Sequence, residues 1–134
     1  FNINSPEFQD LKLLVQTLHA AGADVQYVSI PSNGRWYDHI GIKKDRREAV
    51  YKKIHSTVVD NGGKIYDLTN KDYEKYVISD AVHIGWKGWV YVDQQIARHM
   101  DGHAPKNHEV DYSKNKPPHK HHNDRQDDQH QGNK

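Results

Sequence analysis

The chain has 134 residues, a net charge of +1, 34% apolar residues and no cysteine. That length suits one domain with its own core. The charge is too small to point to nucleic acid, and the missing thiols exclude disulfides, cysteine-based zinc sites and cysteine nucleophiles. No apolar run approaches the roughly 20 residues that a membrane-spanning helix needs.

Residues 1–100 carry nearly all the Leu, Ile, Val and Trp, whereas 101–134 are filled with His, Lys, Asp, Asn, Gln and Pro. Such a tail buries too little apolar surface to offset its ordering entropy, so it is expected to be disordered or loosely docked. Within the first part, Ser5-Pro6-Glu7 reads as a helix start, with Ser5 as the N-cap. Phe8, Leu11, Leu14, Val15, Leu18 and Ala21 follow at helical spacing, and Gly22 suits a left-handed residue past the end, which predicts a helix over 6–21. Residues 24–30, with Val25, Tyr27, Val28 and Ile30, read as a strand covered on both faces.

Pro31 to Gly34 ends that strand, and Arg35-Trp36-Tyr37-Asp38-His39 reads as a loop rich in aromatic and ionisable groups. Loops of this composition either line a site or are pinned to the core by their rings, and the two are compatible. A second helix is expected over 45–61, burying Val50, Ile54 and Val58 and closed by Gly62-Gly63. The basic cluster Lys43, Lys44, Arg46 and Arg47 at its start reads as a solvated helix face, with a docking patch for an acidic partner or polyphosphate as the alternative. Residues 64–68 form a second short strand, and a third helix runs over 86–100 with Trp89, Val92 or Val90, and Ile96 facing inward. A strand, crossover helix and strand of these lengths predict a parallel βαβ unit. Reactive groups in such sheets gather at the carboxyl ends of the strands, where Ser32–Tyr37 and the segment leaving the second strand would meet.

The segment that leaves the second strand carries Asp80-Ala81-Val82-His83-Ile84-Gly85-Trp86-Lys87-Gly88-Trp89. A histidine acting as a general base needs a carboxylate on its other ring nitrogen, and Asp80 and His83 are close enough in sequence to make that pair. A nucleophile is harder to find. Ser32 lacks the Gly-x-Ser-x-Gly context of a nucleophile elbow, and Ser79 lies too near His83 in the chain to be an obvious partner.

Several uncommon strings in order, namely Ser5-Pro6-Glu7-Phe8, Ala21-Gly22-Ala23-Asp24-Val25, Pro31-Ser32-Asn33-Gly34-Arg35-Trp36-Tyr37-Asp38 and the Asp80–Trp89 block, resemble the C-terminal part of the DltD family. The resemblance covers roughly residues 5–100. It implies an α/β fold, the C-terminal portion of an SGNH-like three-layer α/β/α sandwich with a mainly parallel sheet, with residues 1–100 as that part and 101–134 as a His-rich tail. It also implies a serine-dependent acyltransferase or thioesterase acting on D-alanyl groups in teichoic acid D-alanylation. Asp80 and His83 would match its Asp-x-x-His block, while the serine and an N-terminal membrane anchor would lie upstream. Asn33, Trp36, Tyr37 and Trp86 would line the substrate pocket. Asn33 is not the oxyanion asparagine of the SGNH type, whose block normally comes earlier. The implied partners are a D-alanyl donor or carrier protein, lipoteichoic acid and other proteins of D-alanylation, at the outer face of the cytoplasmic membrane; no cofactor or metal is implied.

Two other readings come from the residues themselves. In one, Trp36, Tyr37, Trp86 and the basic cluster make a non-catalytic module for an anionic polymer or an acidic carrier protein. In the other, His119, His121 and His122 bind a metal, against the plainer reading of a His-rich disordered tail.

Overall fold

The computed structural model describes residues 1–103 and 110–118. In chain order the elements are α1 (Glu7–Ala20), β1 (Gln26–Ser29), α2 (Gly34–His39), α3 (Lys44–Val59), β2 (Lys64–Asp67), a short 3-10 turn (Thr69–Lys71) and α4 (Trp86–Met100). β1 and β2 pair in parallel with Gln26 opposite Lys64 and Ser29 opposite Asp67. The mixed α/β class and the parallel pairing expected from the sequence are both present. α3 lies against both strands and α1 packs on α3.

The core beneath the sheet is small. Val15 of α1, Val58 of α3 and Ile65 of β2 are buried together, with Leu11, Tyr27, Ile54 and Val59 packed around them. Each such side chain contributes about 1.5–3 kcal/mol when fully buried. Gly22 and Gly62, just beyond α1 and α3, have φ of 71° and 89°, which only glycine adopts without strain.

Several local expectations are corrected. Ser5 is not the cap of α1; Pro6 occupies that position with helical dihedrals and no side-chain capping bond. The aromatic stretch 35–39 is helical rather than a loop, because the Asn33 side chain accepts a hydrogen bond from the Trp36 N–H at 3.3 Å and so starts α2. Leu14 is exposed, since the inward stripe of α1 runs through Leu11, Val15 and Leu18. On α4 the buried residues are Gly88, Val92 and Gln95, leaving Trp89, Val90 and Ile96 outside. Gly88 sets that phase, because a Cβ there would run into the Val77 carbonyl and the Ile84 side chain. The helix approaches the preceding loop through this glycine and through Gly85, where a Cβ would meet the Tyr76 carbonyl.

The largest departure concerns Arg47. Its guanidinium is fully buried rather than solvated. Nη1 donates to Asp38 Oδ1 at 2.7 Å and to the Ile42 carbonyl at 2.6 Å, and Nη2 donates to Asp72 Oδ2 at 3.1 Å and to the Tyr73 hydroxyl at 2.9 Å. The Tyr73 hydroxyl in turn donates to Asp38 at 2.7 Å. Burial and then this bond to Asp38 push the phenol up to about 12. Asp72 also accepts from Asn115 Nδ2 at 2.6 Å, and the hydroxyls of Tyr112 and Thr69 are bonded to each other. Tyr112 and Asn115 are buried, so part of the polar tail is fastened to the body by these hydrogen bonds together with the buried Tyr112 ring. His119, His121 and His122 lie outside the described residues.

Removing one partner of a buried charge network leaves the others desolvated and unpaired. Arg47→Ala is therefore expected to cost about 3–5 kcal/mol in denaturant unfolding. Arg47→Lys should recover only part of it, because an ammonium cannot span four acceptors in one plane. A loss below about 1 kcal/mol for Arg47→Ala, the size of an ordinary exposed pair, would contradict this role.

Candidate active site

Two loops meet beyond the carboxyl ends of the strands. One is the β1–α2 connection, and the other is the long segment between the 3-10 turn and α4. Asn33 fastens them: its backbone N–H donates to the Ala81 carbonyl at 2.9 Å and its Nδ2 donates to the Asp80 carbonyl at 2.7 Å. Next to it, the Gly34 N–H donates to the Asp72 carbonyl at 2.8 Å. A side chain at Gly34 would meet the Tyr73 ring, so this approach requires glycine. The Asn33 side chain is thus committed to holding the loops together and to starting α2.

Within the second loop the chain folds back through a bridge between Ile78 and Ile84, with the Ser79 N–H on the His83 carbonyl at 2.8 Å. Asp80 sits at the turn. Its Oδ1 accepts the N–H groups of Val82 and His83, both at 2.9 Å, and its Oδ2 lies 2.7 Å from His83 Nδ1. These backbone N–H groups, that of His83 first, together with the His83 ring hold the Asp80 carboxyl far below the usual carboxylate range. Asp80 is therefore ionised at any physiological pH and keeps a proton on His83 Nδ1, which leaves Nε2 as the proton acceptor. Nε2 has no partner among the described residues, and the ring is 79% exposed. The arrangement can move a proton at Nε2.

The other residues singled out from sequence divide. Trp86 is 64% exposed and opens α4 immediately after the turn. Its ring lies 5.7 Å from that of Tyr76, tilted by 31°. Trp36 is exposed on α2, whereas Tyr37 is half-buried with its ring edge-on to Phe1. Of the two candidate serines, Ser32 is held through its backbone and Ser79 through its hydroxyl. The Ser32 N–H donates to the Tyr51 hydroxyl at 2.9 Å, and the Ser79 hydroxyl is spent on the His83 carbonyl at 3.1 Å.

Sequence reasoning missed three features. Tyr76 has φ of 69°, the one such non-glycine residue among those described. Its carbonyl accepts the Lys87 N–H at 3.2 Å, and a Cβ on Gly85 would collide with it. A left-handed tyrosine costs roughly 1–2 kcal/mol, and the glycines at 85 and 88 were the available sign that a backbone had to pass close by. Glu74 is a local anchor, taking Lys87 Nζ at 2.5 Å, the Tyr91 hydroxyl at 2.8 Å and Lys71 Nζ at 3.0 Å. A second histidine and aspartate pair, His55 Nδ1 with Asp67 Oδ2 at 3.1 Å, ties α3 to the end of β2 beside a cleft of about 390 Å³. Asp67 also takes both the N–H and the hydroxyl of Thr69, which makes this pair a structural clasp. No group of three or more metal-binding side chains occurs among the described residues, and none of their helices is long and apolar enough to cross a membrane.

Comparison with known proteins places these residues in context. A family profile described as DltD protein matches residues 1–101. Protein DltD of Staphylococcus aureus (strain NCTC 8325 / PS 47) is 80% identical over 115 residues, which is 86% of this chain and 29% of that protein. Protein DltD of Bacillus subtilis (strain 168) is 42% identical over 92 residues, covering 69% of this chain and 24% of the relative. Protein DltD of Lacticaseibacillus rhamnosus is 28% identical over 95 residues, or 70% and 22%. The chain thus spans about a quarter of the length of these curated relatives.

Glu74 gives the loop an acid-sensitive fastening. Burial alone would raise its pKa, but Lys87, Tyr91 and Lys71 outweigh burial and bring it to about 2 from an ordinary 4.5. A carboxyl lowered on folding stabilises above its unfolded pKa and loses that contribution as pH falls through the folded one. Between pH 4.5 and about 2, stability should therefore decline by about 1–2 kcal/mol after allowance for partial exposure. Denaturant midpoints across that range should show a flatter acid limb for Glu74→Gln, and an unchanged limb would refute the anchor.

Proposed function

The chain belongs to the DltD family, whose members take part in the D-alanylation of teichoic acids, and on that premise we propose that it supplies the acid and base of a serine acyltransferase or thioesterase acting on D-alanyl groups. The observation that carries this is the 2.7 Å contact of Asp80 Oδ2 with His83 Nδ1, which leaves Nε2 open. His83 takes the proton from a serine hydroxyl as it attacks the D-alanyl carbonyl, and returns it to the leaving thiol or alcohol. In the second half, Nε2 deprotonates a hydroxyl of the teichoic acid, or water, as that oxygen bonds to the D-alanyl carbonyl carbon, and it gives the proton to the serine oxygen as the ester bond to the serine breaks. Asp80 keeps the ring in one tautomer and balances the imidazolium formed in each half.

The serine and the oxyanion donors are contributed by sequence beyond these 134 residues, so the chain alone is inactive. Support comes from the engagement of the Ser79 hydroxyl by the His83 carbonyl, from the lack of a nucleophile-elbow sequence around Ser32, and from the fraction of each relative's length that the chain spans. In this reading the donor is a D-alanyl carrier or another D-alanyl thioester or ester, and the acceptor is lipoteichoic acid. The work is done beside other proteins of the pathway at the outer face of the cytoplasmic membrane, with the anchor outside this chain.

In the full-length protein, His83→Ala should lower turnover of a D-alanyl thioester by at least about 10³-fold, with binding little changed. Asp80→Asn should cost about 10⁴-fold by reversing the tautomer. Single-turnover assays with mass detection of the acylated serine measure both. Full activity of His83→Ala would remove the catalytic reading and leave a non-catalytic module that binds the polymer or its carrier.

A further inference from the structure

A cavity of about 160 Å³ has Arg35, Asp72, Glu74, Lys75 and Tyr76 in its wall together with Asn33, whose side chain donates to the Asp80 carbonyl and so joins the cavity to the Asp80–His83 turn. Its carboxylates are occupied. Asp72 is bonded to Arg47 and Asn115, and Glu74 to Lys71, Lys87 and Tyr91. Arg35 and Lys75 have no anionic partner among the described residues, so the charge this wall presents to solvent is positive.

Tyr76 carries a second, independent signal. The fold holds it at φ 69° and leaves its ring 59% exposed, beside the equally exposed ring of Trp86. The Tyr76 carbonyl serves the first turn of α4 through the Lys87 N–H, but the exposure of the two rings beside the cavity is not needed for that bond, and strain of this kind gathers at ligand-binding positions. Aromatic faces bind the C–H surfaces of polyols and sugars while cations at their edge bind phosphate.

We propose that Tyr76, Arg35 and Lys75, with Trp86, form a subsite for a phosphodiester-linked polyol chain and hold its hydroxyl toward His83. The polyol backbone lies on the Tyr76 and Trp86 rings, and a neighbouring phosphate is bound by Arg35 and Lys75. This rests on the reading of Asp80 and His83 as the acyl-transfer centre and identifies where the acceptor binds; teichoic acids are polymers of this chemical class.

The test is calorimetric titration of full-length protein with a glycerol phosphate oligomer, with inorganic phosphate and glycerol as controls. Tyr76→Gly is the informative variant, because glycine accepts the positive φ. It should weaken oligomer binding by about tenfold or more while leaving the melting temperature unchanged or higher. Arg35→Gln with Lys75→Gln should weaken binding and flatten its salt dependence. Wild-type affinity in both variants would overturn the subsite, as would inorganic phosphate binding as tightly as the oligomer. A Tyr76→Gly protein that melts lower yet binds normally would overturn it too, showing that the ring is covered by the rest of the polypeptide. His83→Ala separates the two ideas: retained turnover with intact oligomer binding refutes the catalytic assignment and leaves the subsite standing.

Discussion

Arg47 is the residue on which the positions of the others depend. One guanidinium joins Asp38 at the end of α2, the Ile42 carbonyl beyond it, and Asp72 and Tyr73 at the start of the loop that carries Asp80 and His83. Through Asp72 it also reaches Asn115 of the tail. A planar group with five donors in fixed directions can hold several chain segments at once, which neither a lysine nor an apolar side chain does. The apolar core under the two strands is too modest to fix these loops, so a buried polar network sets their geometry. Such networks specify structure only when their members are satisfied, and here each acceptor of Arg47 lies within hydrogen-bond reach.

From that fixed base the site is assembled by backbone fit. Gly34 lets α2 come against Tyr73, Asn33 ties its loop to the carbonyls of Asp80 and Ala81, and Gly85 and Gly88 let α4 approach the carbonyls of Tyr76 and Val77. Asp80 then accepts two backbone N–H groups and the His83 ring, so the carboxylate that would orient the base is itself held by its own turn. Rigidity at the Asp80 carboxylate and openness at His83 Nε2 are the combination that general-base chemistry uses. The strained Tyr76 lies on the same loop, where its carbonyl accepts the Lys87 N–H and packs against Gly85 at the start of α4.

Local chemistry was legible from the residues wherever it depended on close neighbours. The periodicity of α1 and α3, the β-prone runs at β1 and β2, and the three-residue spacing of Asp80 and His83 all involve groups whose contact follows from local chain geometry. Legibility failed where contact joined distant segments. Arg47 lies in a basic run that by composition belongs on a surface, and its acceptors are 5 to 26 residues away. His55 and Asp67 are 12 residues apart with no local sign of pairing. On α4, periodicity alone favoured the large apolar residues as the buried face, whereas the fold put Gly88 inward because only a residue without a side chain clears the Val77 carbonyl.

The sequence by itself determined the class of the fold, the parallel pairing of its two strands, the family and the chemical character of the Asp80–His83 turn, since each of these follows from short-range pattern or from strings that recur in order. Tertiary structure decided which charges are buried, which face of each helix turns inward, and that Asn33 is a clasp between loops. It also placed Tyr76 and its ring beside the cationic wall of Arg35 and Lys75. Burial and juxtaposition come from closing long loops around Arg47, and no property of a single residue or its near neighbours encodes which distant groups that closure brings together.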